Sequence, residues 1–245
     1  EGCAHIAAEI AERVRLGARF RDFTVVTRAP EKYAGILDEA LAAQGIPYFF
    51  SDHTDLTELS LTKMILSAYA CLERGFRRSD LIAYLKCGFA GITADDCDIF
   101  ELYAEAWRIK GSRFADGQPF DMHPRGYVDR FTDADSAKLA RVNAVREQIL
   151  PTLLALRDAT LGERTAREHA TALYEFLLAL DTERLLHTRA KEARLAGREG
   201  EADRLSRLTA VLYDLLDRIQ EIMGDLPLTR VRFSELLSLV FSSVS

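Results

Sequence analysis

Phe23-Thr24-Val25-Val26-Thr27, followed by helical spacing from Tyr33 to Leu41 and then by Ile46-Pro47-Tyr48-Phe49-Phe50, is the stretch on which the fold turns. The first run is short, β-branched and nearly continuous in apolar character, the pattern of a strand covered on both faces. Between the two runs Tyr33, Ile36, Leu37, Ala40 and Leu41 recur at i, i+3, i+4, i+7 and i+8, after a start signal at Pro30 and before a stop at Gly45. Pro47 puts the second run at a strand start or an edge. Two strands joined by one helix make a βαβ unit with parallel strands and a right-handed crossover. Upstream, Ile6, Ile10 and Val14 mark one face of a further helix that ends near Gly17. Residues 1–57 therefore read as a slice of an α/β sheet.

Beyond this slice the strand signals vanish. Leu61, Met64, Ile65, Ala68 and Leu72 share a helix face, and a short helix capped by Ser79 runs through Leu81, Ile82 and Leu85 to Gly88. Thr93 with Asp96 forms a capping box that opens an aromatic-rich helix containing Phe100, Tyr103 and Trp107. Residues 111–126 carry three glycines and two prolines and predict a long loop instead of a regular element. Helical spacing resumes from Leu139 to Leu156, where Pro151 is expected to kink or divide the helix, and again from Leu173 to Leu180. Residues 181–204 are dense in both signs of charge and predict a solvated helical hairpin. Leu205, Leu208, Leu212, Leu215, Ile219 and Ile222 form a bundle seam, Leu228-Thr229-Arg230-Val231 is extended, and Phe233 to Val240 is helical. The expected architecture is mostly α-helical with a small α/β part: 1–57 α/β, 58–223 a helical insertion, 224–245 a return toward the first part.

The chain has 245 residues, 48% hydrophobic and 29% charged, which excludes disordered and low-complexity classes. With 32 Lys+Arg against 38 Asp+Glu the net charge is −6, so a basic surface must be local. Cys3, Cys71, Cys87 and Cys97 lack metal or redox spacing and read as small buried hydrophobes in a reducing compartment. No run approaches the roughly 18 apolar residues of a membrane span. The expectation is a soluble, cytoplasmic protein without a membrane partner. The start without methionine and the end at Ser245, just after an apolar run, read as a piece of a longer polypeptide.

Phe20-Arg21-Asp22-Phe23-Thr24-Val25-Val26-Thr27-Arg28, with Tyr33, Ile36-Leu37 and Gly45-Ile46-Pro47-Tyr48-Phe49, resembles the opening of the second motor domain of UvrD-like superfamily-one helicases. Asp80-Leu81-Ile82-Ala83-Tyr84-Leu85-Lys86-Cys87-Gly88 and the stretch from Phe100 through Trp107 to Phe114 narrow it, since they resemble the B subunit of AddAB-type (RexAB-type) helicase-nucleases. The resemblance implies a partial RecA-like motor domain (parallel βαβ) carrying a large helical insertion, cut from a protein several times longer. It implies an A subunit and double- and single-stranded DNA as partners, and a role in resecting double-strand breaks for recombinational repair. ATP, magnesium and an iron-sulfur cluster are implied for the parent. Within these residues no phosphate loop, no two-metal nuclease constellation and no cluster-spaced cysteines occur, so neither a cofactor nor a catalytic residue is assigned here.

Arg28 stands at the carboxyl end of the first expected strand, where open α/β sheets place ligands. The resemblance makes it a nucleotide-contact candidate or the vestige of one, because Ala29-Pro30-Glu31-Lys32-Tyr33 follows it in place of the motors' polar run. Lys110, Arg113 and Arg125 bracket the long loop together with Phe114 and Phe120. Cations interleaved with aromatics are the chemistry of single-strand contact, by phosphate pairing and base stacking. The alternative for the same residues is that the two phenylalanines pin the loop while the charges are solvated. Asp95, Asp96 and Asp98 fit a helix first turn better than acid–base catalysis, and the dispersed histidines carry no metal assignment. A helical protein-interaction or regulatory module without a nucleic-acid role stays open as the competing function class.

Overall fold

The computed structural model of the chain describes residues 2–27, 33, 35–47, 60–128 and 130–243. These fall into two compact units, one within residues 1–54 and one within 55–245.

In the first unit, α1 (Gly2–Arg15) packs on α2 (Ile36–Ala43), and a 3-10 turn at Phe20–Asp22 lies between them in sequence. Cys3, Ala7 and Ile10 meet Leu37, Leu41 and Ile46 in a small core. Both helices are legible in their apolar spacing. The expected first strand is not formed: residues 23–27 carry no strand, and Val26 is 86% exposed. A β-branched run becomes a strand only when a neighbouring edge accepts its backbone groups, and the run expected to supply that edge lies mostly outside the described residues. The second expected strand falls largely on residues 48–50, outside the described residues, as does Arg28. A parallel βαβ unit is thus absent from the described residues.

The second unit is a helical body. An α3 (Ser60–Glu73) and α4 (Arg78–Lys86) hairpin leads to α5 (Ala94–Ala106), the one-turn α6 (Ser112–Ala115) and the long α7 (Asp133–Ala159). Then come β1 (Glu163–Thr165), α8 (Ala166–Ala179), α9 (Thr182–Leu195), α10 (Glu199–Met223), β2 (Pro227–Thr229) and α11 (Arg230–Ser243). Helix α7 is the spine, touching α5, α3 and α8, while α10 packs on α8 and α9. One continuous core joins Tyr69, Tyr84, Phe100, Leu153, Leu173, Leu212 and Phe233. The strands β1 and β2 pair antiparallel, Arg164 opposite Leu228, and bring α11 back onto α3 and α8. Residues 224–243 complete this core through Phe233, Leu237 and Phe241.

Three further differences are local. Ser79 does not cap α4, because the helix already starts at Arg78 with Arg77 in the cap position. The loop expected over 111–126 contains the single turn α6. Pro151 lies inside α7 without dividing it; its exposed ring sits over a notch of small side chains that includes Ala155, Ala172 and Ala179. Among the described residues no helix is long and apolar enough to cross a membrane.

Candidate nucleic-acid interface

The chain leaves α5 at Trp107 and enters α7 at Asp133, and the connection between them holds every described candidate. Its first turn is tight: Arg108 adopts φ 50° and Gly111 φ 59°. Gly111 N–H donates to the Phe76 carbonyl at 3.2 Å, and a Cβ on Gly111 would stand 3.6 Å from the Gly75 carbonyl. That distance is an ordinary contact, and it is the positive φ that suits glycine here.

Apolar anchors come next. Phe114 is fully buried, 5.3 Å from Phe76 and edge-on to Phe100 at 6.4 Å. Phe120 is buried against Tyr103 at 5.5 Å. Polar side chains on the helices then hold the loop backbone. Asn143 accepts from Phe120 N–H at 2.7 Å and donates to its carbonyl at 2.9 Å. Buried Arg146 donates to the Phe114 carbonyl at 3.0 Å, and Tyr103 Oη bonds both the N–H and the carbonyl of Met122. Trp107 Nε1 donates to the His123 carbonyl at 2.9 Å. Buried backbone groups of an irregular segment need such partners.

His123 organises the second half. Its Nδ1 accepts from Arg125 N–H at 3.1 Å, which leaves Nε2 to carry the proton toward the Arg130 carbonyl at 3.1 Å. Asp135, also buried, lies 3.4 Å from Nε2 and accepts from Arg125 Nη2 at 2.8 Å. The Thr132 hydroxyl, then Arg125, hold the Asp135 carboxyl well below the usual carboxylate range. Burial pushes the Tyr103 hydroxyl up to about 12.

The sequence candidates therefore part company. Phe114 and Phe120 face the core, so a base cannot stack on either ring in this arrangement. Arg113 is half-buried, pairs with Asp121 at 2.9 Å and lies over the Phe120 ring. Arg125 is exposed yet tied to Asp135, whereas Lys110 is exposed at the loop entrance. Sequence reasoning missed what stands on the outer side. Tyr127 is 93% exposed with its ring 5.0 Å from Trp107, half-exposed Phe131 lies 4.6 Å from His123, and Arg108 and Arg130 are exposed nearby in sequence. The available signal was an aromatic directly after Gly126 in a stretch without periodicity.

Among the described residues no three His, Cys, Asp or Glu side chains stand together as a metal group. Burial pushes the Cys71 thiol up to about 12 and raises Cys87 and Cys97, opposite to what a cluster-ligating thiolate needs.

No family model matches the chain. It is similar to the B subunit of the ATP-dependent helicase/deoxyribonuclease of Clostridium kluyveri, 26% identical over 241 residues, which are 97% of this chain and 21% of that protein. The protein of the same name from Pelotomaculum thermopropionicum is 27% identical over 224 residues, covering 90% and 19% respectively. That from Heliobacterium modesticaldum is 29% identical over 217 residues, covering 86% and 18%. The chain thus spans about a fifth of the length of the curated relatives it matches. The resemblance to the B subunit of helicase-nucleases extends along nearly all of it, the charged helical half included.

Proposed function

We propose that this chain is a non-catalytic part of a helicase-nuclease B subunit, spanning the start of a second motor-like domain and the helical subdomain inserted in it. It acts in DNA double-strand break end resection and recombinational repair in the cytoplasm, where it holds double- or single-stranded DNA and packs on an A subunit. ATP, magnesium and an iron-sulfur cluster belong to other parts of the parent. The observation that carries this is the similarity, over 86–97% of the chain, to B subunits of helicase/deoxyribonucleases. The exposed cations at the α5–α7 connection supply a local positive rim on a molecule of net charge −6. Arg28 is the candidate nucleotide contact of this reading, or the vestige of one, and Arg28→Ala is expected to leave DNA affinity unchanged.

The test is binding of forked DNA to the purified chain as a function of salt. Charge reversal at Arg108, Lys110 and Arg130 should weaken binding for every sequence and lower the salt slope by about one per lost phosphate contact. Affinity untouched by the triple reversal at low salt would remove this loop from the interface. A second function class, a protein-interaction module, is favoured by one observation. Leu215, Ile219, Ile222, Met223, Leu236 and Val240 line an apolar groove of about 380 Å³ between α10 and α11, and Ile222 is largely exposed. Ile222→Asp separates the two, since it should abolish subunit docking and leave DNA binding intact.

A further inference from the structure

We propose that Tyr127, backed by Trp107, is a stacking platform for one unpaired base of a nucleic-acid strand whose phosphates run past Arg108, Lys110 and Arg130. The inference rests on the DNA-contact reading above and adds the ligand state and the residue that takes it. Val128 N–H donates to the Gly126 carbonyl at 2.8 Å, so Tyr127 stands at the apex of a three-residue turn, and Gly126 at φ 85° supplies the backbone that aims it outward. The ring is backed, since Trp107 meets it at 5.0 Å and an interplanar angle of 60°, leaving the exposed face of the phenol free for a second flat ring. The backing is rigid as well. The indole N–H is held by the His123 carbonyl, and Gly126 N–H returns to that same carbonyl at 3.0 Å.

A phenol presented to water beside a pinned indole, with unpaired cations close by in sequence, has the chemistry that stacks on a base. The exposed cations close to it in sequence suit a polyanion. Arg108, Lys110 and Arg130 are exposed and pair with no carboxylate among the described residues, unlike Arg113 and Arg125. The bases of a duplex are already stacked and cannot reach a protein ring, whereas a splayed base can. Phe131 over His123 offers a second, half-exposed aromatic on the same loop.

Trp107 is the single tryptophan of the chain, so its emission reports on this platform without labelling. The chain is titrated with oligo-dT and with a blunt duplex of equal charge, following Trp107 emission and, in parallel, the anisotropy of an end-labelled strand. Oligo-dT should quench Trp107 and the duplex should not. Tyr127→Ala should weaken oligo-dT roughly tenfold at an unchanged salt slope, and Tyr127→Phe should restore it. Thermal melts of the exposed-site variants should match the unsubstituted chain. If anisotropy reports oligo-dT binding while emission and the Tyr127→Ala affinity stay unchanged, the platform is wrong and the DNA-contact reading survives. If no DNA of either kind binds at low salt, both are wrong, and the patch belongs to a protein partner.

Discussion

His169 is buried with its ring stacked on Phe233 at 4.9 Å, its Nε2 against the Leu228 carbonyl at 3.0 Å and its Nδ1 without a partner. Burial holds its pKa below the ordinary value, so the folded chain resists a proton that the unfolded chain accepts near pH 6.5. The unfolded state therefore binds more protons as the pH falls from about 7 toward 5, and stability should drop in that window. His169→Gln, which keeps a donor for Leu228, should flatten the fall in melting temperature over the same range. Arg230 does a different service. Its guanidinium donates to the Arg157 carbonyl at 2.8 Å, the Thr160 hydroxyl at 2.8 Å and the Leu72 carbonyl at 3.4 Å, closing the carboxyl ends of α7 and α3 together. Arg230→Met should cost about 1–3 kcal/mol in urea unfolding. Phe120→Ala should cost about 3–5 kcal/mol, against less than about 0.5 kcal/mol for Lys110→Ala. That contrast also marks where the sequence was opaque. Phe114, Phe120 and Tyr127 are all aromatics within a few residues of a cation, and a stretch this irregular has no period to tell which of them faces the helices.

Among the elements, helices that bury one face were readable because their apolar spacing is imposed by the packing itself, as along Leu208, Leu212, Leu215 and Ile219. The Thr-x-x-acid starts carry the same information at the helix ends. Thr93, Thr132 and Thr165 each accept from the backbone N–H three residues on, and Thr132 with Asp135 and Thr165 with Glu168 complete reciprocal boxes. Only the first stands out in the sequence, where it directly precedes an apolar helix face, although all three share the pattern. Thr132→Ala and Thr165→Ala should each lower stability by about 1 kcal/mol. The Asp96, Asp135 and Glu168 carboxyls are all held below their ordinary values, first by a Thr hydroxyl at Asp96 and Asp135 and by the Thr165 backbone N–H at Glu168. Their contribution is complete above about pH 4.5 and is lost as the pH falls below it, a second acid step beneath the histidine one. Pro151→Ala should stabilise α7 by about 1–3 kcal/mol, since an interior proline removes a ladder bond while restricting the unfolded chain. The run from Phe23 to Thr27 carries no strand in the described residues, and β-propensity records fitness for a sheet surface without supplying the neighbouring edge.

At the scale of the whole molecule the two units differ in what holds them. Among the described residues the core of the first counts six buried side chains, small by the standard of domains that fold alone, while the second buries aromatic and aliphatic side chains contributed by every helix from α3 to α11. A chain starting at residue 58 should therefore keep the helical circular-dichroism signal and melt within a few degrees of the full chain, and residues 1–57 alone should give no cooperative melt. The connection between α5 and α7 bears on how such a body would carry load. It is riveted to one cylinder by Tyr103 and Trp107 and to the other by Asn143 and Arg146. A tug on whatever grips its outer rim is shared by two struts at once, so the bracket must shear both before either peels, and tension would reach the spine of the molecule undamped.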